Sequence, residues 1–133
     1  PLLISGYIYG DQWVAPAGQS FEATFYKDAG FRYYFDREPG TGSCFSSIAK
    51  VLTKSTEVVY WLNPAKPSRA ALLQEFPKYR HFPFFNKRVF CYTHQTNKYW
   101  EQAAAHPDWI LSDLRQILTT KPKKLHFYKE LTP

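Results

Sequence analysis

Residues 21–36 read Phe21-Glu-Ala-Thr-Phe-Tyr-Lys-Asp-Ala-Gly30-Phe-Arg-Tyr-Tyr-Phe-Asp36, and the period assigned to them decides the fold. Phe21, Ala23 and Phe25 alternate with Glu22, Thr24 and Tyr26. Beyond Asp28-Ala29-Gly30, Phe31, Tyr33 and Phe35 alternate with Arg32, Tyr34 and Asp36. A period of two buries one face of a strand. A three-residue loop with Gly in a left-handed conformation joins two such strands. The stretch therefore predicts a β-hairpin with Phe21, Phe25, Tyr33 and Phe35 buried together.

Working outward, residues 2–9 are apolar and ring-rich, Gly10-Asp11 marks a turn, and residues 12–15 resume as strand. After the Pro39–Gly42 turn, Phe45, Ile48, Ala49 and Leu52 fall at i, i+3, i+4 and i+7, which predicts an amphipathic helix capped by Ser43. Residues 56–62 are β-branched and aromatic, hence strand, and Ser68 caps a short helix through Glu75. Pro77, Pro83 and Asn86 mark residues 76–87 as an exposed loop, and strand returns over 88–94. Thr96 or Asn97 caps a helix to about Ala105. Pro107 opens another with Ile110, Leu114 and Ile117 on one stripe, and residues 124–130 close the chain as strand. This order predicts one α+β domain over residues 1–133: an antiparallel sheet built on N-terminal hairpins, with three to four helices on one face.

The 133 residues suit one domain, and with 11 Phe, 10 Tyr and 4 Trp the core must be built largely from rings. Composition excludes collagen-like, coiled-coil and disulfide-scaffold classes, and no window approaches a membrane-spanning helix. Pro1-Leu2-Leu3-Ile4-Ser5-Gly6 has no basic leader and too short an apolar run for a signal peptide. Cys44 and Cys91 stand in no zinc-binding pattern, so they read as two buried, reduced thiols of an intracellular, cytoplasmic protein. On a strand, Cys91 and His94 point to opposite faces, so no metal is expected, and no cofactor motif occurs.

Charge is uneven. The formal net charge is +6, yet residues 1–66 are balanced, and the second half carries the whole excess with all 4 histidines. This asymmetry points to an anionic partner, nucleic acid first. Residues 76–98 hold five cations, seven aromatics and no anion. Cations follow phosphates while rings stack on bases, which suits a single strand. Arg88, Phe90, Tyr92 and His94 share one predicted strand face, and Lys121, Lys123 and Lys124 extend the charge.

The sequence thus predicts a small, basic, non-enzymatic protein that binds single-stranded or structured DNA or RNA. Its contacts are Lys78, Arg80, Lys87, Arg88, Phe90, Tyr92, His94, Lys98, Lys121, Lys123 and Lys124. One alternative is a metal-independent ribonuclease using His81, His94 or His126 with neighbouring Lys, Arg and Tyr. Another is a protein-interaction module or accessory subunit whose surplus rings form a contact patch. A weaker anion site falls at Gly40, Gly42 and Ser43, where a Gly-rich turn precedes the predicted helix. The rings of residues 82–92 decide the first reading, because a buried ring stacks on nothing.

Overall fold

A computed structural model describes residues 1–92, 107–118, 125 and 128–131. The described chain is α+β and builds two sheets. The first has the strand order β4-β1-β6-β7-β8: β1 (Leu2–Ser5), β4 (Arg32–Tyr33), β6 (Val58–Leu62), β7 (Arg88–Tyr92) and β8 (Tyr128–Glu130). Its first four strands run parallel, and only β8 is antiparallel, pairing Phe90 with Glu130. The second sheet is wholly antiparallel, in the order β2-β3-β5: β2 (Tyr7–Tyr9), β3 (Gln12–Pro16) and β5 (Ser43–Ser47).

The predicted hairpin over 21–36 is not formed. Residues Phe21–Asp28 are helix α1, and the next strand is the two-residue β4, parallel to β1. Ser20 caps the helix by accepting a hydrogen bond from the Ala23 amide. At the other end the Gly30 amide donates to Lys27 and the Phe31 amide to Tyr26, with Gly30 at φ +103°. That is a Schellman stop. A hairpin loop and a helix stop both require a left-handed residue, and Gly30 satisfies either. Burial favours the helix: Ala23 and Tyr26 lie at i and i+3, Phe25 and Ala29 at i and i+4, and all four are buried, whereas Phe21 is 51% exposed.

The helix predicted from Ser43 starts four residues later. Residues 43–47 pair with β3 as strand β5. Helix α2 is Ile48–Lys54, and Ser47, not Ser43, caps it through the Lys50 amide. The sheet on β1 is therefore mixed and largely parallel, where one antiparallel sheet was expected. The helices are shared out as well: α1 packs on β4 and β3, and α2 on β5 and β3. Other expectations hold. Ser68 caps helix α3 (Arg69–Glu75), and Pro107–Ile117 form helix α4, which buries Ile110, Leu114 and Ile117 and packs on α1. The helix predicted near residues 97–105 lies outside the described residues.

Residues 76–87 are the largest departure from expectation. They are no exposed loop: a 3-10 helix (Pro77–His81) leads into a turn, and Tyr79, Phe82, Phe84 and Phe85 are all buried. Trp13 of the second sheet meets Phe82 at 5.3 Å and Phe84 at 5.7 Å between ring centroids, and Trp61 of the first sheet meets Phe84 at 5.2 Å. The rings thus fill the space between the two sheets, with tilted and edge-to-face contacts that suit their quadrupoles.

Candidate functional site

In the first sheet β1 is the pivot. The chain leaves it to form β4 on one side, then crosses back to form β6 on the other. Where neighbouring parallel strands send their connections in opposite directions, a crevice opens beyond their C-terminal ends. Here such a crevice, of about 400 Å³, lies beyond Ser5 of β1 and Leu62 of β6, lined by Ser5, Gly6 and Asn63 at its base.

The base is fixed by indoles. Trp13 Nε1 donates to the Ser5 carbonyl at 3.0 Å, Trp61 Nε1 donates to the Gly6 carbonyl at 2.8 Å, and the Gly6 amide donates to Leu62 at 3.1 Å. Gly6 stands at φ +107°, and a Cβ there would lie 2.0 Å from the Val14 carbonyl oxygen. Only glycine lets the chain turn from β1 into β2 at this spot. Beneath, the Tyr26 hydroxyl donates to Ser5 Oγ at 3.2 Å, and the Asn63 amide reaches the Tyr26 hydroxyl at 3.5 Å.

The walls come from the second sheet and from α1. Tyr7, Val14, Ala15 and Pro16 form one side, Phe21 and Glu22 in the first turn of α1 the other, and Thr41, Gly42 and Ser43 the rim. Phe21 stands edge-on to Phe25 at 4.7 Å, which sets the position of an otherwise exposed ring. The rim is stitched to the loop before α1: Ala17 N donates to Gly42, Gly18 N to Glu38 and Gln19 N to Gly40. No described Lys, Arg or His lines the crevice, so its one formal charge is the Glu22 carboxylate. Tyr7, Val14 and Phe45 are neighbours across the second sheet, and Phe45 is 57% exposed. Exposed rings therefore stand at and beside the crevice, whereas Phe82, Phe84, Phe85 and Phe90 are buried.

The sequence-predicted site divides. Lys78, Arg80, His81 and Lys87 are exposed. The segment that carries them is held by Tyr79, whose hydroxyl accepts from the Ile8 amide at 2.8 Å, and by Arg69, which donates to the carbonyls of Phe85, Lys87 and Leu131. Burial pushes the Tyr79 phenol up to about 12. Phe90 is a correction. Phe90 is fully buried, and the Arg88 guanidinium sits 5.1 Å from its ring, pairs with Glu130 through two nitrogens at 3.2 Å, and donates to the Ile117 carbonyl. Hydrogen bonding to Glu130 raises its affinity for its proton further. Arg88 thus ties β7 to β8 and α4, and Phe90 is core.

The premise of the anion site fails too. Ser43 opens a strand, no helix starts behind Gly40-Thr41-Gly42, and the Gly40 amide already donates to Gln19 Oε1 at 2.7 Å. Both cysteines are free and buried, and burial pushes the Cys44 thiol up to about 11 and raises that of Cys91. His94, Lys98, Lys121, Lys123, Lys124 and His126, and the side chain of Tyr92, lie outside the described residues. No helix among the described residues is long and apolar enough to cross a membrane.

Sequence reasoning missed the crevice because its residues come from five separate stretches. Gly6, between two apolar runs, was the one local sign of a sharp turn. Compared with protein families, curated proteins and solved structures, the chain matches none.

Proposed function

We propose that this protein binds a small organic ligand in the crevice beyond β1 and β6. The observation that carries the reading is the coincidence of three features at one place: the pivot of a parallel sheet, a volume of about 400 Å³, and a lining of rings with a few polar side chains. Binding sites are concave, largely apolar, and supplied with a small number of placed polar groups. Amide NMR spectra recorded with a library of small aromatic fragments test it. Shifts should cluster at residues 5–7, 14–16, 21–22, 41–43 and 63, and weaken in Phe21→Ala. Shifts scattered elsewhere, or none, would overturn the reading.

Nucleic-acid binding is a second reading, favoured by the exposure of Lys78, Arg80 and Lys87 on one braced segment of a chain with net charge +6. With Phe90 and the rings of residues 82–85 in the core, its support among the described side chains is charge. Its test is the salt dependence of binding to a labelled single strand, whose log–log slope is about −0.7 per neutralised phosphate. Replacing Lys78, Arg80 and Lys87 together by Ala should flatten that slope by roughly 2 units. The control triple of Lys27, Arg32 and Arg37 should leave it unchanged. Equal effects from both triples would reduce the binding to total charge.

A further inference from the structure

The crevice has a charge preference written into its lining, and this inference rests on the reading of the crevice as a binding site. Glu22 lines it from the first turn of α1, half-buried, and forms no ion pair with a described residue. Phe21, one residue earlier, presents its ring, and Tyr7 stands on the facing sheet. The remaining polar groups, Ser5, Asn63, Thr41 and Ser43, are neutral.

A phosphate or carboxylate ligand entering here would meet Glu22 with no described cation to offset it. Partial desolvation of the crevice strengthens that repulsion, since charges interact more strongly away from bulk water. A ligand cation meets the reverse. It gains a charge-assisted hydrogen bond or ion pair with Glu22, while its uncharged body packs against the rings of Phe21 and Tyr7. The volume holds one ring system and a short arm.

We infer that the crevice selects a small organic cation: a protonated or quaternary amine on an aromatic or aliphatic body, with the ammonium at Glu22 and the body against Phe21 and Tyr7. The carboxylate supplies selectivity and the rings supply affinity, so the two contributions are separable by substitution.

A matched series isolates charge. 2-Phenylethylammonium, 2-phenylethanol and phenylacetate share a ring and arm and differ at the terminal group, and each is titrated into the full chain at pH 7 by calorimetry and amide NMR. The cation should bind at least roughly tenfold more tightly than the alcohol, as a charge-assisted hydrogen bond over a neutral one implies. Phenylacetate should bind more weakly than either. In Glu22→Gln the cation and alcohol should become equal while the alcohol keeps its affinity. In Phe21→Ala both should weaken and the cation should keep its advantage. Equal binding of all three at the crevice would overturn the charge selection and leave the site standing. Absence of shifts at residues 5–7, 21–22 and 63 with every probe would remove the site as well. Persistence of the cation's advantage in Glu22→Gln would place its counter-charge elsewhere and overturn the assignment.

Discussion

Two regions of this molecule draw on the same residue types to opposite ends. Residues 76–90 interleave rings with cations. The crevice gathers Tyr7, Phe21 and a carboxylate, with Phe45 and Tyr9 exposed on the same small sheet. In the first region the rings are interior and the cations are either solvated or, like Arg88, spent on structural pairs. In the second the rings are outside. Topology makes the difference: residues 76–87 pass between two sheets that present Trp13 and Trp61 to them, and burying rings there removes much apolar surface from water. On the three-stranded sheet, by contrast, Tyr9 and Phe45 remain exposed.

The largest expected effect breaks the first region. Phe84 is fully buried and touches Trp13, Trp61 and Phe82. Phe84→Ala should cost about 3–5 kcal/mol from lost transfer and the cavity left between the sheets. Urea denaturation measures it, and a loss below about 1 kcal/mol would mean the ring is not core. Gly6→Ala, at the base of the crevice, comes next. Its left-handed φ and the 2.0 Å approach to Val14 should cost about 1–3 kcal/mol in backbone strain and displace β3 from β2. A variant as stable as the parent would show that the β1–β2 turn tolerates a side chain.

Much of the fold was legible where one interpretation satisfied the local chemistry. Ser68 before an apolar run, Pro107 at a first helical turn and the β-branched run 58–62 each did so. Residues 21–36 failed because two readings did. Phe21, Ala23 and Phe25 alternate, but Ala23, Phe25, Tyr26 and Ala29 also trace a helical stripe, and Gly30 serves a hairpin or a helix stop equally. The competing signal was Ser20, a cap three residues before Ala23. Once that helix is read as strand, the crossover from β1 to β4 disappears, and with it the parallel sheet, its pivot and the crevice. The site was unreadable for the same reason the sheet was. The basic segment failed differently: its composition was plain, but nothing local told an inward ring from an outward one.

A third test separates structural from solvated cations. Arg88→Ala loses two hydrogen bonds to Glu130 and one to Ile117, and should cost about 1–3 kcal/mol. Arg80→Ala, a few residues away and exposed, should stay within about 0.5 kcal/mol. Equal losses would erase the distinction between them.

The alkaline limb of stability samples both regions. Tyr79 braces the basic segment and Cys44 lies buried in β5, and burial raises both above their ordinary values, to about 12 and about 11. A raised value means the folded state prefers the protonated group. Each contribution is therefore complete below the unfolded value and lost as pH rises toward the folded one. Stability should begin to fall above pH 9 through Cys44 and Cys91, and more steeply above pH 10 as Tyr79 and Tyr33 join them. Cys44→Ala should make the limb shallower between pH 9 and 10 and leave the steeper part above pH 10 in place.

The smallest effect is the sharpest comparison. Phe21 and Phe84 are both phenylalanines flanked by other rings, and the sequence reading buried the one and exposed the other. Phe21 loses only its edge-on contact with Phe25 on truncation, and half its surface already faces water. Phe21→Ala should therefore change stability by no more than about 1 kcal/mol, mostly the value of one aromatic pair. The same substitution should weaken ligand binding in the crevice severalfold or more. A ring that barely supports the fold but strengthens binding is held for the ligand, whereas a loss matching that of Phe84→Ala would make Phe21 part of the core and close the crevice as a site.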